Sequence, residues 1–162
     1  MNLDPRENAT TLSTNRQPFM EVENVGHGYA ADAPVIANIS MMIEERDFVA
    51  LVGPSGVGKS TLLKILGGLL EPTVGSVQLN GRPLNEADHS VGVVFQQDNL
   101  MPWRTVRENI RLPLEIQTPQ AKPNGRIDDL LDLVGLANAG ELYPGQLSGG
   151  MAQRVAMARA LV

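Results

Sequence analysis

The sequence predicts an α/β fold, with antiparallel β-strands near the N-terminus, a central core and a small helical lobe. Three observations predict it. Residues 19–25, FMEVENV, alternate apolar and polar side chains, as a strand with one buried face does. A glycine-rich stretch, GPSGVGKST (53–61), separates a short apolar run from a pattern of helical period. From Asp98 onward, strand-like runs give way to helical ones.

Each element follows in order. Residues 1–18 are polar, carry acids early and lack an apolar h-region, so they read as a mobile tail and not as a secretory signal. After the strand at 19–25 comes a loop containing Tyr29, then a second strand-like run, VIANISMMI, over 35–43. DFVALVG at 47–53 is short, apolar and ended by Gly, the pattern of a strand buried on both faces. GKSTLLKILGGLL (58–70) places apolar side chains at 62, 63, 66, 69 and 70, which suits a buried helix, with Gly67 and Gly68 near its end. Asn80-Gly81 stands between short apolar runs, a two-residue hairpin signal. SVGVVF at 90–95 reads as another buried strand. Two helical patterns, roughly 104–117 and 125–136, then flank the Pro/Gly-bearing loop TPQAKPNG.

Composition excludes several function classes. The net charge is −5 and no long basic run occurs, so the electrostatic footprint of a nucleic-acid binder is missing. With no Cys there are no disulfides or thiolate metal sites, which fits a reducing cytoplasm. His27 and His89 are far apart and form no ligand pattern. No uninterrupted apolar run reaches the length of a membrane span, so any membrane role runs through a partner.

GPSGVGKST fits G-x-x-x-x-G-K-[ST] at Gly53, Gly58, Lys59 and Ser60, with Pro54, Ser55, Gly56 and Val57 completing the loop and Thr61 following it. A polyphosphate needs several backbone N–H groups aimed inward at once, and glycines allow that curvature. The loop opens a helix whose N-terminal partial positive charge faces the phosphates. Lys59 would reach the β- and γ-phosphates, and the Ser60 hydroxyl would ligate Mg²⁺. The bland alternative is a glycine-rich turn with a solvated Lys; an apolar strand before the motif and an apolar helix after it speak against that.

LSGGMAQRVAMARAL, beginning at Leu147, narrows the choice. Ser148 is a good N-cap, Gly149 and Gly150 leave backbone N–H groups free, and a helix follows. Together with the phosphate loop nearly ninety residues earlier, this stretch resembles the signature of ATP-binding-cassette (ABC) proteins, whose fold is a P-loop NTPase core. The resemblance spans nearly all of 19–162 and implies further assignments. Tyr29 lies where such cassettes stack an aromatic on adenine, with a packing Tyr as the alternative. Gln96 looks like the glutamine that contacts Mg²⁺ or the attacking water; the alternative is an exposed Gln at a strand end, and Gln97 is adjacent. DNLMPWRTVRENI resembles the segment that receives a transmembrane permease subunit, near residues 98–107, and LMPWRTV is most like importers of nitrate, sulfonate or taurine. Trp103 reads equally well as a packing anchor. Arg46-Asp47 departs from the family, where Gly-Glu is usual.

The resemblance divides the chain into the tail 1–18, a nucleotide-binding core 19–97, a helical lobe 98–146 and the signature segment 147–162. It implies head-to-tail pairing with a second ABC subunit, ATP and Mg²⁺ as cofactors, an indirect link to a periplasmic or extracellular substrate-binding protein, and a cytoplasmic position on the inner face of the plasma membrane. In such cassettes the signature helix leads to a strand ending in Asp-Glu, which supports the metal and supplies the general base. The sequence ends at Val162, before such a strand. An N-terminal fragment is therefore expected, lacking the C-terminal part of the core, marginal in stability and slow in hydrolysis. The rival reading is a non-hydrolytic nucleotide-binding module that pairs with an intact subunit. A soluble cassette of translation or DNA repair is disfavoured by the acidic charge and LMPWRTV.

Overall fold

A computed structural model describes residues 18–30, 33–86, 91–117 and 125–162. The expected tail up to residue 17, His89 and the 118–124 connection lie outside the described residues. The described residues fall into two compact units, one up to residue 86 and one from residue 91.

The first unit is an antiparallel sheet with one helix. β1 (Met20–Ala30) and β2 (Ala33–Ile43) pair along their length, and β3 (Val74–Leu79) joins the other edge of β1. β4 (Arg82–Pro83) completes the order β2-β1-β3-β4. Asn80 and Gly81, at φ 51 and 75, form the tight turn between β3 and β4, the two positive φ values that Asn-Gly accommodates. Val22 sits opposite Met41 on one side and Val77 on the other, so the alternation in FMEVENV lines one buried face. Tyr29 falls within β1 and not in a loop, because pairing with β2 carries the strand to Ala30 through several register shifts.

α1 (Lys59–Leu66) follows the glycine-rich stretch and ends at Gly67, with Gly68 in the left-handed region. Thr61, Leu62 and Ile65 are its buried residues, whereas Leu63 and Leu69 are exposed, contrary to the broader apolar face read from the sequence. Burying Leu62 and Ile65 stabilises the unit by about 1.5–3 kcal/mol each.

Two expected strands are not strands. Residues 47–53 and 91–95 carry no ladder among the described residues, and Phe48 and Val52 are 95% and 93% exposed. Apolar, glycine-ended segments suit a buried parallel strand, but a strand exists only where a neighbour takes its N–H and C=O groups. The ladders among the described residues all lie within β1–β4, and neither segment pairs with an edge of that sheet. Arg46, at φ 73, turns the chain just before 47–53, and the Asp47 carboxylate accepts the Glu44 N–H at 3.0 Å.

The second unit packs three helices: α2 (Val106–Gln117), α3 (Arg126–Leu133) and α4 (Gly149–Leu161). Val106, Ile110, Ile127, Leu130, Leu131, Val155 and Ala158 form its aliphatic core. Thr105 and Glu108 cap α2 reciprocally: the Thr105 N–H donates to Glu108 Oε2 at 2.8 Å and the Glu108 N–H to Thr105 Oγ1 at 3.3 Å. The next amides, Val106 and Arg107, donate to the carbonyls of Leu142 and Gly140. Pro113 lies inside α2. Among the described residues no helix is long and apolar enough to cross a membrane.

Candidate nucleotide-binding residues

The phosphate loop occupies the exposed turn between residues 53 and 58, entered from the irregular 47–52 and closed by α1. Gly56 (φ 81) and Gly58 (φ 98) take backbone angles that L side chains rarely adopt. Gly58 is required twice over: a Cβ there would collide with Ile36 Cγ2 and stand 3.0 Å from the Val35 carbonyl oxygen. The first turn of α1 therefore approaches β2 through a glycine. Lys59 Nζ donates to the carbonyls of Gly53 (2.9 Å) and Pro54 (2.7 Å), so its ammonium is held against the start of the loop. Pro54, Ser55, Val57 and Ser60 are exposed around it, and Thr61 is buried. Curved backbone, a helix N-terminus and an ammonium are the parts that hold a polyphosphate.

Tyr29 is 68% exposed and meets the His27 ring edge-on, with centroids 5.0 Å apart. His27 is buried and donates from Nδ1 to the Glu71 carbonyl at 3.1 Å. Both rings line a cleft of about 520 Å³ with Gly26, Ile36, Thr73 and Val74.

In the second unit, Gln96, Gln97, Asp98, Asn99, Gly149 and Gln153 line one open cleft of about 500 Å³. The structure thus brings Gln96 beside the start of the signature helix. Ser148 caps α4, its Oγ accepting the Met151 N–H at 3.3 Å. Gly149 and Gly150 are exposed, and a Cβ on either would meet nothing within 4 Å. Packing within the unit does not demand those glycines. Arg154 bonds the Gly150 carbonyl (3.3 Å) and the Val134 carbonyl (2.9 Å), tying the first turn of α4 to the end of α3.

Trp103 is 71% exposed, which decides against a packing anchor. The bend that presents it is held by a residue sequence reasoning missed, the fully buried Asn109. Its Oδ1 accepts the Met101 N–H at 2.7 Å, and its Nδ2 donates to the carbonyls of Met101, Arg104 and Thr105 at 3.2, 3.1 and 2.9 Å. Arg104 bonds Glu115 at 2.7 Å, and that hydrogen bond raises its pKa. Arg107 is raised likewise by hydrogen bonds to Asp128 and then Glu141. The pattern [ST]-x-x-[DE] at Thr105 and Glu108 is a signal that would have found that cap, whereas nothing comparable marks Asn109.

Comparison with known proteins supplies the family. The sequence model described as ABC transporter matches residues 36–162. The methionine import ATP-binding protein MetN of Geobacillus kaustophilus (strain HTA426) is 46% identical over 143 residues, covering 82% of this chain and 42% of the relative. The aliphatic sulfonates import ATP-binding protein SsuB of Bacillus subtilis (strain 168) is 45% identical over 128 residues, covering 79% and 49%. The chain thus spans about half the length of these relatives. Among solved structures, the ATP-binding cassette MJ0796, in a dimeric post-hydrolysis state bound to ADP and Pi, is similar with a TM-score of 0.76 and 36% identity, over 88% of this chain and 68% of that one. The fold is that of the P-loop ABC ATPases, with the N-terminal antiparallel sheet and the helices both represented. The chain belongs to the ABC transporter family, among its ATP-binding subunits.

Proposed function

We propose that the chain is the nucleotide-binding part of an ABC importer subunit that couples Mg²⁺-ATP binding and hydrolysis to uptake of a small anion such as nitrate, sulfonate or taurine. The carrying observation is the phosphate loop, in which Gly56 and Gly58 take positive φ and Lys59 bonds the carbonyls of Gly53 and Pro54. Gly53–Thr61 would hold the phosphates and Tyr29 the adenine. Ser60 and Gln96 offer a hydroxyl and an amide oxygen, hard donors of the type Mg²⁺ takes. Lys59 and Gln96 are the proposed catalytic residues, one stabilising charge on the γ-phosphate and the other orienting water.

Ser148, Gly149 and Gly150 are proposed to serve the nucleotide of a second subunit in a head-to-tail dimer; their open surroundings support that reading. A permease subunit is assigned to residues 98–107, supported by the exposed Trp103. The functional division into core 19–97, lobe 98–146 and signature 147–162 belongs to the same proposal, as do a cytoplasmic site on the inner membrane face and an indirect link to a substrate-binding protein. The sulfonate importer among the relatives supports the anion class, and the methionine importer at similar identity marks its nearest competitor.

The test titrates the purified chain with mant-ATP, with and without Mg²⁺, while phosphate release is followed. Saturable binding that is lost in Lys59→Ala is expected. No binding by the unaltered chain sinks the reading. Binding with release identifies a working ATPase, and binding without release identifies a nucleotide-binding module dependent on an intact partner.

A further inference from the structure

Residues 91–99 form a segment whose two ends both meet the last turn of α4. At one end Gly92 abuts Ala160 so closely that a Cβ would stand 2.7 Å from the Ala160 carbonyl oxygen. At the other, Arg159 donates to the carbonyls of Asp98 (2.8 Å) and Asn99 (2.9 Å), sixty residues earlier in the chain. Asn99 holds φ 48, so the chain turns sharply at the carbonyl pair Arg159 grips. Gln96 stands between these anchors. Burial pushes the Arg159 guanidinium below its usual range, and the charge of Asp98 opposes that. A planar guanidinium can reach two consecutive carbonyls at fixed angles, which a single ammonium on a flexible stem does less well.

We propose that Arg159 is a positioning residue: it fixes the backbone after Gln96 to the C-terminal turn of α4, so that Gln96 keeps its place beside Gly149 and Gln153 at the other end of the same helix. The signature helix and the glutamine segment then shift as one piece. This rests on the reading of Gln96 as the glutamine that serves Mg²⁺ or the attacking water.

The experiment measures mant-ATP affinity of the full chain in EDTA and in Mg²⁺, for the unaltered protein, Gln96→Ala, Arg159→Met, Arg159→Lys and the double variant Gln96→Ala/Arg159→Met, each with a thermal melt. Gln96→Ala is expected to reduce the Mg²⁺-dependent gain in affinity by about fivefold or more. Arg159→Met is expected to do the same with its EDTA affinity unchanged, Arg159→Lys to recover part of the gain, and the double variant to be no worse than either single one. If Arg159→Met keeps the full gain while Gln96→Ala loses it, the proposal is overturned and the reading of Gln96 stands. If Gln96→Ala keeps it as well, that reading falls and takes the proposal with it. Equal loss of affinity in EDTA and in Mg²⁺, with a lowered melt in both Arg159 variants, assigns the residue to stability alone and also overturns the proposal.

Discussion

Replacing Gly58 with alanine isolates how closely the phosphate loop is built against the sheet. Gly58 opens α1 at φ 98, ψ 4. An L-residue in this left-handed region costs roughly 1–2 kcal/mol. Its Cβ would also collide with Ile36 Cγ2, on a side chain only 8% exposed, and overpacking of that kind costs about 1–3 kcal/mol. Alanine restricts the unfolded chain more than glycine does and returns about 0.4–1 kcal/mol. The net loss is then about 1–4.5 kcal/mol. Gly56 is the internal control: its φ is 81, but an added Cβ meets nothing within 4 Å. Gly56→Ala should lose about 0–1.5 kcal/mol. Urea denaturation followed by far-UV circular dichroism measures both, and mant-ATP titration reads the loop itself. Equal losses in the two variants would refute the argument that α1 touches β2 through Gly58.

Four further outcomes follow from single contacts. Arg46→Gly removes an L-residue from φ 73 and should raise stability by about 0.5–1 kcal/mol in the same urea assay; a loss would show that the Glu44–Asp47 turn depends on the arginine. Asn109→Ala strands the Met101 amide and takes a side-chain donor from the Met101, Arg104 and Thr105 carbonyls, of which Met101 and Thr105 keep a backbone donor, so it costs about 1–3 kcal/mol and changes Trp103 fluorescence; an unchanged melt and unchanged fluorescence would contradict that latch. Ser148→Ala removes the α4 cap and should cost about 1 kcal/mol by thermal denaturation, against a few tenths for Ser148→Gly. Arg107→Met loses two partly exposed ion pairs, worth about 0.5–1 kcal/mol and weaker in salt. Because the folded-state pKa of Arg107 is raised, its contribution is complete below the unfolded value and fades only as pH climbs through the folded one. The penalty should therefore stay constant from about pH 7 to 10, and a penalty that fell across that range would contradict the assignment.

Local chemistry was legible in the sequence. Asn80-Gly81 fixes its own turn through two positive φ values, and Gly67 and Gly68 end α1 ahead of the apolar Leu69 and Leu70. The phosphate loop could be read for the same reason, since its glycines and lysine lie within nine residues. What escaped were relations between distant segments. Residues 47–53 and 91–95 have strand composition, yet pairing is a property of two segments and neither finds a ladder among the described residues. Tyr29 looked like a loop residue because Gly28 and Pro34 suggest an ending, whereas the β1–β2 register shifts accommodate both. Arg159 has the look of an ordinary helix-end cation, and only folding brings the Asp98 and Asn99 carbonyls to it.

Pro113 divides the hydrogen-bond ladder of α2 into two halves. Proline has no N–H to donate to the Asn109 carbonyl one turn earlier, so the helical ladder loses a rung there. Upstream, the capping box, the borrowed carbonyls of Leu142 and Gly140, and the four bonds of Asn109 clamp the helix to its neighbours. Downstream, Ile116 and Gln117 face solvent. A push applied at Met101–Thr105 is thus delivered into the aliphatic core at Ile110, and the Arg104–Glu115 bond carries part of it past the missing rung to the downstream half. The helix works as a lever whose ladder is broken at a proline and whose two arms are rejoined by the glutamate that Arg104 and Arg111 share.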